Sequence, residues 1–384
     1  MVKVTVIGAG LAGLNCARIL QSANQEVRVI EATSRLGGRV NTDYIDGFQL
    51  DHGFQVINPA YAELKKANVV ADLKLKSLPK GIEIIQSDQL IKVGDPLSNL
   101  SYLFGDLSSR SGTILEKINF LKFMFSNSAD NALSSAIKPT SRFYSEVINP
   151  FLTGVFLCNP DEVSSKMARE LLYWFRKGNP GVPENGVAAL PKALAKNLSV
   201  DFEVSAVGIK ENKVVTNQGE IKSDAIVVAI NQRQAATLLG RGKWSMNQST
   251  TWYHAVPSGA IESKHLRIDP QGKLVNSIVI SNIAPSYSPE GRSLVSTTAL
   301  NNHSDEMVLS ELAKLWNLSA TDFELIKKYE IPESLPKHLP GKSLISQIEI
   351  APNLYAIGDY QATPSQQGAL LTGRLAAEAI IKKS

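Results

Sequence analysis

The sequence predicts an α/β protein with a mostly parallel, doubly wound sheet, into which a second unit of mixed helices and strands is inserted. Three observations support this fold class. An apolar, β-branched run at residues 2–7 leads directly into a glycine-rich turn and then a helical pattern. Two later runs, at 225–230 and 354–357, are also short and almost continuously apolar, as expected of strands buried on both faces.

The size and charge of the chain narrow the possible functions. It has 384 residues, 43% of them hydrophobic and 20% charged, which is enough for two domains and a sizeable core. The net charge of +4 is small beside 40 basic and 36 acidic side chains, so we expect no nucleic-acid partner. The two cysteines, Cys16 and Cys158, predict no disulfide framework.

The location of the protein is predicted from what the chain lacks. The first residues run straight into a strand, without a charged leader or a cleavage site. No apolar run reaches the roughly eighteen residues needed to cross a bilayer. We therefore expect a cytoplasmic protein without a tail anchor.

The glycine turn after the first strand has the spacing of a dinucleotide-binding site. Gly8 permits a tight turn, Gly10 lets the backbone approach a pyrophosphate, and Gly13 lets the following helix lie close to the strand. Glu31 ends the second apolar run, where a carboxylate can accept hydrogen bonds from ribose hydroxyls. This is a Rossmann-like unit. Its candidate contacts are Gly8, Gly10, Leu11, Ala12, Gly13, Glu31 and Ala32.

The residues after Glu31 distinguish between dinucleotides. Arg35, the pair Gly37 and Gly38, and Arg39 match the extended signature of the flavin-containing amine oxidase superfamily, which this sequence resembles. That superfamily includes monoamine and polyamine oxidases, protoporphyrinogen oxidase and phytoene-desaturase-like enzymes. The resemblance implies FAD as cofactor. It also implies that the second glycine pair and the arginines reach the flavin end of the pyrophosphate.

Two other segments extend the resemblance. At the carboxyl end, a strand, a Gly-Asp pair and a closing helix from about residue 367 imply contacts to the ribityl chain and a helix N-terminus aimed at the flavin. In the middle, Gly186 and Leu190 precede Val204, whose backbone is implied to contact adenine. Asn185 stands where the family has a glycine. The further implied cofactor contacts are Asp51, Gly53, Phe54, Val204, Gly358, Asp359, Gln367, Gly368 and Ala369.

The resemblance also implies a domain division. A discontinuous FAD-binding domain of the GR2 type would comprise residues 1–75, 183–240 and 338–384, and a substrate-binding domain residues 76–182 and 241–337. Within the latter, residues 82–86 and 89–93 alternate around a turn and predict a hairpin. Residues 113–126 predict an amphipathic helix, and we expect its apolar face to pack on the core. That face consists of Ile114, Ile118, Leu121 and Phe125.

The implied function is that of an FAD-dependent oxidase or dehydrogenase, which transfers a hydride from a C–N or C–C bond of a small organic substrate to flavin N5. The cofactor carries this chemistry, so few acid or base side chains are required. No motif places the lysine that amine oxidases of the superfamily commonly hold near N5, and the scattered histidines predict no metal site. The weak catalytic candidates are His52, Gln55, Tyr253, His254 and Tyr360.

Two alternatives stay open. An NAD(P)H-dependent flavin reductase would need a second nucleotide-binding turn, and the best candidate, at 240–244, lacks the third glycine. A membrane-surface flavoprotein of the desaturase or protoporphyrinogen-oxidase type would place the 113–126 helix on lipid, although the polar face of this helix is not strongly basic. The sequence does not identify the substrate, the electron acceptor or the oligomeric state.

Overall fold

A computed structural model describes residues 1–86, 89–94, 112–240, 242, 245–270, 272–300 and 302–384. Its helices are distributed along the whole described chain, and a π-helical turn, Tyr144–Ile148, leads directly into helix α5 (Asn149–Phe156). The helices are α1 (Leu11–Ser22), α2 (Ala62–Ala67), α3 (Ile114–Phe125), α4 (Leu133–Ala136), α5 (Asn149–Phe156), α6 (Ser165–Lys177), α7 (Ala189–Leu194), α8 (Gln232–Leu239), α9 (Asp305–Trp316) and α10 (Gln366–Lys383).

The strands of the described chain form two large sheets and three small ones. They are β1 (Lys3–Ile7), β2 (Glu26–Ile30), β3 (Thr42–Ile45), β4 (Phe48–Asp51), β5 (Leu75–Ser77), β6 (Ile82–Gln86), β7 (Gln89–Val93), β8 (Gly181–Pro183), β9 (Val200–Asp201), β10 (Ala206–Lys210), β11 (Lys213–Thr216), β12 (Gly219–Lys222), β13 (Ala225–Val228), β14 (Met246–Pro257), β15 (Leu266–Ile268), β16 (Asn276–Val279), β17 (Arg292–Ala299), β18 (Glu324–Pro336), β19 (Glu349–Ala351) and β20 (Leu354–Ala356).

The first large sheet has the strand order β19-β20-β13-β1-β2-β9. From β20 to β9 every pairing is parallel, and only the edge strand β19 runs antiparallel. The central strands β1 and β13 are buried nearly throughout because helices cover the sheet. This arrangement confirms the predicted α/β class and its Rossmann-like sheet, assembled from segments far apart in sequence.

Helices α1 and α10 pack closely on each other beside this sheet. Gly373 makes the approach possible, since a Cβ built there would lie 2.3 Å from the carbonyl oxygen of Ala12. The amide of Asn15 donates to the carbonyl of Leu370 at 2.7 Å, which satisfies a buried polar group between the helices. Cys16, a free cysteine, is buried in α1. The first and last helices of the chain thus form one unit.

The second large sheet has the order β18-β14-β17-β16-β15-β6-β7 and is antiparallel except where β15 meets β6. The predicted hairpin is confirmed as β6 and β7, and its turn at residues 87 and 88 lies outside the described part of the chain. The helices α5 and α6, between the hairpin and the middle segment of the first sheet, bury Leu152 and Phe156, and Met167, Ala168, Leu171 and Leu172. The domain boundaries given above stay a prediction.

Helix α3 corrects a prediction. The predicted apolar face does not pack on the core but is exposed, with 67% of Phe125 accessible. That face consists of Ile114, Ile118, Leu121 and Phe125. The opposite side, represented by Phe123 at 6% exposure, is buried instead. Apolar side chains lie almost all round this helix, so the sequence period alone does not decide which side is covered. Across the described residues, no helix combines the length and the apolarity that crossing a membrane requires.

Candidate active site

A cavity of about 1490 Å³ lies between the two sheets and the α3, α5 and α6 helices. One end is formed where β1, β2 and β13 finish and where α1 and α10 begin. In doubly wound sheets this is the edge at which nucleotides bind. The other end is lined by apolar helical side chains. The volume is larger than that of most single-ligand pockets, which leaves room for both a dinucleotide and a substrate.

The first glycine turn has the geometry that a pyrophosphate requires. Gly8 has φ +105°, and a Cβ there would meet the carbonyl oxygen of Ala229 at 2.6 Å. A Cβ at Gly13 would lie 2.1 Å from the carbonyl oxygen of Gly8, so helix α1 is held directly against the turn. Gly10 lines the cavity and has no atom within 4 Å of a built Cβ. The open space at Gly10 fits a phosphate group, and the first amides of α1 face it.

The second glycine pair lies against the first turn. The Gly37 amide donates to the carbonyl of Ala9 at 2.9 Å, and Gly37 forms a parallel bridge with Gly10. Gly37 and Gly38 both have positive φ, +102° and +58°. Both glycines line the cavity, so the two turns form one continuous floor at its dinucleotide end.

Glu31 is held at the end of β2 with its carboxylate on the cavity wall. One oxygen accepts from the Ala9 amide at 2.9 Å, and the other accepts from the Thr33 amide at 2.9 Å and from the Thr33 hydroxyl at 2.8 Å. A carboxylate oxygen accepts more than one hydrogen bond, so ribose hydroxyls fit beside these contacts. Val204 also lines the cavity, and its amide already donates to the Glu31 carbonyl at 3.0 Å, so this amide is not available to a ligand.

Arg39 and Asp359 join the two ends of the chain at this cavity. Arg39 Nη2 lies 2.6 Å from Asp359 Oδ1, and its Nη1 donates to the carbonyl of Ser334 at 2.8 Å. Asp359 is 7% exposed at its side chain, so the ion pair is partly desolvated and stronger than a surface pair. Both residues line the cavity, which places a cation and an anion next to the glycine floor.

The N-terminus of α10 also opens on the cavity. Ser365 caps the helix by accepting from the Gly368 amide at 3.1 Å. Ser365, Gln366 and Ala369 line the cavity, so the positive end of an eighteen-residue helix is directed at it. Sequence reasoning missed Ser365 and Gln366. The serine before the helical pattern was the signal for a cap.

The wall contributed by the second sheet is uncharged. The residues of β14, β16 and β17 that reach the cavity are hydroxyls and an amide, and none of the cavity residues on this described sheet is a lysine. Sequence reasoning missed them because they are spread over three strands. They are Ser249, Thr251, Asn276 and Thr298.

The comparison with known proteins identifies the family. The family model for flavin containing amine oxidoreductases matches residues 11–381. The chain belongs to this family. Together with the glycine floor, which a Cβ at Gly10 would fill, this confirms the resemblance, the oxidoreductase class and FAD as the cofactor.

Two relatives of this flavin oxidoreductase are named for different reactions. Polyamine oxidase 2 of Arabidopsis thaliana is 29% identical over 59% of this chain and 50% of its own length. Hydroxysqualene dehydroxylase of Sinorhizobium fredii is 25% identical over 70% of this chain and 68% of its own length. The chain thus spans about half the length of the polyamine oxidase it matches.

Solved structures share the fold. A putative protoporphyrinogen oxidase from Exiguobacterium sp. superposes with a TM-score of 0.74 at 16% identity and covers 99% of both chains. A reduced UDP-galactopyranose mutase superposes with a TM-score of 0.75 at 13% identity, covering 100% of this chain and 96% of its own. At these identities the superpositions show the fold alone.

Most of the residues predicted to hold FAD lie on the cavity of this flavin oxidoreductase. Gly13 does not reach the cavity and has the packing role expected for it. The predicted residues that line the cavity are Gly8, Gly10, Leu11, Ala12, Glu31, Ala32, Gly37, Gly38, Arg39, Gly53, Phe54, Val204, Gly358, Asp359 and Ala369.

Three residues predicted to contact FAD lie outside the cavity lining, namely Arg35, Gln367 and Gly368. Arg35 turns outward and pairs with Asp43, Nη1 to Oδ1 at 2.7 Å, with half of its side chain exposed. The Gln367 side chain faces α2, where its carbonyl accepts from the Glu63 amide at 3.0 Å. Gly368 faces protein, since a Cβ there would lie 2.0 Å from the Thr363 carbonyl oxygen. All three are occupied by protein groups, so none of them lines the cavity.

Asp51, also predicted to contact FAD, lies outside the cavity lining as well. Its carboxylate is fully buried and accepts from Thr42, Tyr287 and the Val187 amide at 2.6, 2.8 and 3.0 Å. Burial raises the pKa of Asp51 to about 6, although these hydrogen bonds act in the opposite direction. The Asp51 carboxylate therefore joins β3, the segment before α7 and the turn between β16 and β17, and it helps to fix the neighbouring loop that carries Gly53.

The five weak catalytic candidates divide into two groups. Tyr253 and His254 are buried in β14, where Tyr253 donates to the Asp51 carbonyl at 2.9 Å and burial lowers the pKa of His254 to about 4. Tyr360 is buried too, and burial raises its pKa. None of these three lines the cavity, whereas His52 and Gln55 do. The Gln55 amide donates to the Arg39 and His52 carbonyls, so its role is to hold this loop.

His52 is oriented by groups behind it. Its Nε2 lies 2.9 Å from Asp43 Oδ2, and its ring lies 4.8 Å from that of Tyr329. Partial burial of Asp43 acts to raise its pKa. Hydrogen bonds from Tyr329 and Arg35, together with the nearby His52 ring, outweigh that effect, so the pKa of Asp43 lies below its ordinary value. An ionised Asp43 therefore holds His52 at the cavity wall.

The different positions of the two arginines give a testable prediction. We expect Arg39→Ala to weaken FAD binding about 10- to 100-fold, because a desolvated, charge-assisted contact is lost. We expect Arg35→Ala to leave FAD affinity within about twofold, because its ion pair with Asp43 is exposed. Titration of the two apoproteins with FAD, followed by flavin fluorescence, measures both. Equal losses in the two variants would contradict this assignment.

Proposed function

We propose that this chain is an FAD-dependent oxidoreductase that oxidises a C–C bond to C=C, in preference to a C–N bond, in a largely apolar organic molecule, with a hydride leaving one carbon and a proton leaving its neighbour. When bound, FAD supplies the hydride acceptor at N5. The protein's part is to hold the dinucleotide, to position the substrate and to exclude water. The observation that carries this proposal is the composition of the cavity beyond its dinucleotide end.

That part of the cavity, here called the helical arm, is apolar. Its residues come from α3, the π-helical turn, α5 and α6, and several of them belong to one continuous hydrophobic core. An arm of this kind desolvates its occupant and favours hydrocarbon over charged groups. The helical arm consists of Phe120, Met124, Val147, Ile148, Phe151, Val155, Leu171, Leu172 and Phe175.

The charges that line the cavity oppose a cationic substrate. Among the described lining residues, the carboxylates are Glu31 and Asp359, both at the dinucleotide end. The charged side chains near the helical arm are cations, namely Lys80, Lys117 and Arg176. A protonated amine placed in the arm would therefore meet no carboxylate among the described lining residues there, and it would lose its hydration. The likeness to a hydroxysqualene dehydroxylase agrees with this preference more closely than the likeness to a polyamine oxidase.

His52 is the group that can exchange a proton with the substrate. Its imidazole lines the cavity, and Asp43 fixes the orientation of its ring. An imidazole nitrogen can accept or donate a proton, so the ring suits either acceptance of a substrate proton or hydrogen bonding to a polar substituent. The uncharged hydroxyl and amide side chains of the second sheet can hold such a substituent without adding charge.

Anaerobic reduction of the bound flavin tests the proposal without requiring a known electron acceptor. The purified holoprotein is mixed with a polyene or isoprenoid alcohol, with a diamine and a polyamine, and with NADPH, and the flavin absorbance is followed. We expect bleaching by the apolar compounds and little by the amines. Rapid bleaching by amines alone would overturn the preference for an apolar substrate, and rapid bleaching by NADPH would support the reductase alternative.

A charge placed in the helical arm supplies a variant test. Val155→Asp puts a carboxylate into the arm, and we expect the bleaching rate with an apolar substrate to fall at least about tenfold. Ser135→Asp, an exposed change on α4, is the matched control and should leave the rate unchanged. The flavin content of both variants is measured first. If the Val155→Asp protein binds its full content of flavin and its bleaching rate is unchanged, substrate does not occupy the helical arm.

A further inference from the structure

The outer side of α3 carries a stripe of large apolar side chains that described protein does not cover. These side chains recur at helical spacing and are between 43% and 67% exposed. The stripe consists of Ile114, Leu115, Ile118, Leu121 and Phe125. Single exposed apolar residues are ordinary on protein surfaces, but five together on one helix are typical of a surface that binds something.

Basic side chains accompany this stripe, and most of them belong to a different helix. The last turn of α6 brings Arg176 over the Phe125 ring at 5.1 Å and Lys177 over the Tyr173 ring at 5.7 Å. Tyr173 is itself 48% exposed, and Lys122 of α3 adds a further exposed cation. The combination of exposed aromatic rings with cations is suited to the interface of a bilayer.

The acidic side chains of α3 and α6 are bound by other parts of the protein and do not neutralise the cations beside the stripe. Glu116 accepts from the amides of Thr113 and Arg142 at the start of α3, where it completes a capping box. Glu170 of α6 accepts from the hydroxyl of Thr363 at 2.8 Å. The surface formed by the stripe and the end of α6 is therefore positively charged, which complements an anionic surface.

The stripe is continuous with the helical arm of the cavity. Leu121 and Phe125 are both partly exposed and line the cavity, and Phe120 and Met124 line it from the next positions of the helix. A molecule that leaves the stripe therefore meets apolar side chains all the way into the arm. The stripe and the helical arm therefore both favour apolar molecules.

We propose that the stripe of α3 docks on the surface of a bilayer that contains anionic phospholipid, with α3 lying in the plane of the interface and the cavity opening toward the lipid. The apolar side chains insert among the acyl chains, while Lys122, Arg176 and Lys177 meet phosphate groups. This docking is independent of which bond the enzyme oxidises, so it can fail while the proposed reaction stands. A second copy of the chain is the competing occupant of the stripe.

Flotation of the holoprotein with vesicles tests the docking. Vesicles of phosphatidylcholine alone are compared with vesicles containing phosphatidylglycerol, at low and high salt. We expect the wild-type protein to float with the anionic vesicles, less at high salt because exposed charges are screened. We expect the double variant Leu115→Asp, Ile118→Asp, whose side chains do not line the cavity, to float about tenfold less.

Two controls keep the outcome interpretable. Leu325→Asp changes an apolar side chain that is 42% exposed on β18, an edge strand of the second large sheet, and that does not line the cavity, and it should float as the wild type does. The flavin absorbance of each variant reports that the protein is folded. If the wild type stays unbound with every vesicle, or if the double variant floats equally well, lipid docking is excluded. A wild-type dimer that the double variant converts to monomer, without flotation, would instead assign the stripe to a second copy.

Discussion

Gly10→Ala is expected to give a folded protein that no longer retains FAD. A Cβ at this position meets no protein atom within 4 Å, and the backbone has φ −77°, which alanine adopts without strain. The methyl group therefore enters the cavity at the point where the pyrophosphate must approach the turn. We expect FAD affinity to fall at least about 100-fold, or about 3 kcal/mol, while the stability of the apoprotein is unchanged.

Gly13→Ala is the matched comparison, because it adds the same methyl group three residues later. Here the Cβ would lie 2.1 Å from the Gly8 carbonyl oxygen, so α1 must move away from the turn. We expect the Gly13 variant to lose apoprotein stability, by about 1–3 kcal/mol, as well as FAD. Thermal unfolding of both apoproteins and FAD titration separate the two effects. If Gly10→Ala binds FAD normally, the proposed position of the pyrophosphate is wrong.

Gly373→Val is expected to separate the first and last helices of the chain. A Cβ at this position already lies 2.3 Å from the Ala12 carbonyl oxygen and 3.1 Å from the Cys16 amide nitrogen, and both atoms belong to the backbone of α1. Backbone cannot move aside as a flexible side chain does, so the helices must part. We expect a loss of about 3 kcal/mol or more in the free energy of unfolding.

The same substitution should weaken FAD binding, although Gly373 lies away from the cavity lining. The N-termini of α1 and α10 both open on the cavity, so parting the helices changes the spacing of the groups that hold the two ends of the dinucleotide. Unfolding of the apoprotein and FAD titration measure the two losses. Lys382→Ala, exposed on the same helix, is the control and should change stability by less than about 0.5 kcal/mol. A stable Gly373→Val protein with normal FAD affinity would refute the coupling of the helices.

Much of the cofactor end could be predicted because its residues are close together in the chain. A strand, a turn of three glycines, a helix and a second strand ending in Glu31 have one compact arrangement, and Gly8 and Gly13 have the steric environments that this arrangement imposes. The roles of Arg35 and Arg39 could not be separated in this way. The two arginines are four residues apart, and only the position of Asp43 and of the distant Asp359 determines which one faces the cavity.

The environment of helix α3, on the substrate side of the cavity, could also not be predicted from the sequence. The period of its apolar residues predicted a helix, and the structure has that helix with a complete capping box. Whether the side with Ile118 or the side with Phe123 is buried depends on which neighbouring helices reach it. The basic character of the stripe was also hidden in the sequence, because Arg176 and Lys177 belong to α6.

The sequence by itself determined a Rossmann-like dinucleotide-binding unit, because local spacing controls backbone turns, helix starts and the reach of a carboxylate at a strand end. The resemblance of its motifs to the flavin-containing amine oxidase superfamily then implied FAD. Only the tertiary structure decided that Asp51 and Gln367 face protein, that the described residues of the helical arm are apolar and include no carboxylate, and that α3 presents its stripe outward. The physical reason is that the direction and surroundings of a side chain depend on groups brought together from distant segments. Their contacts have no local signature in the order of the residues.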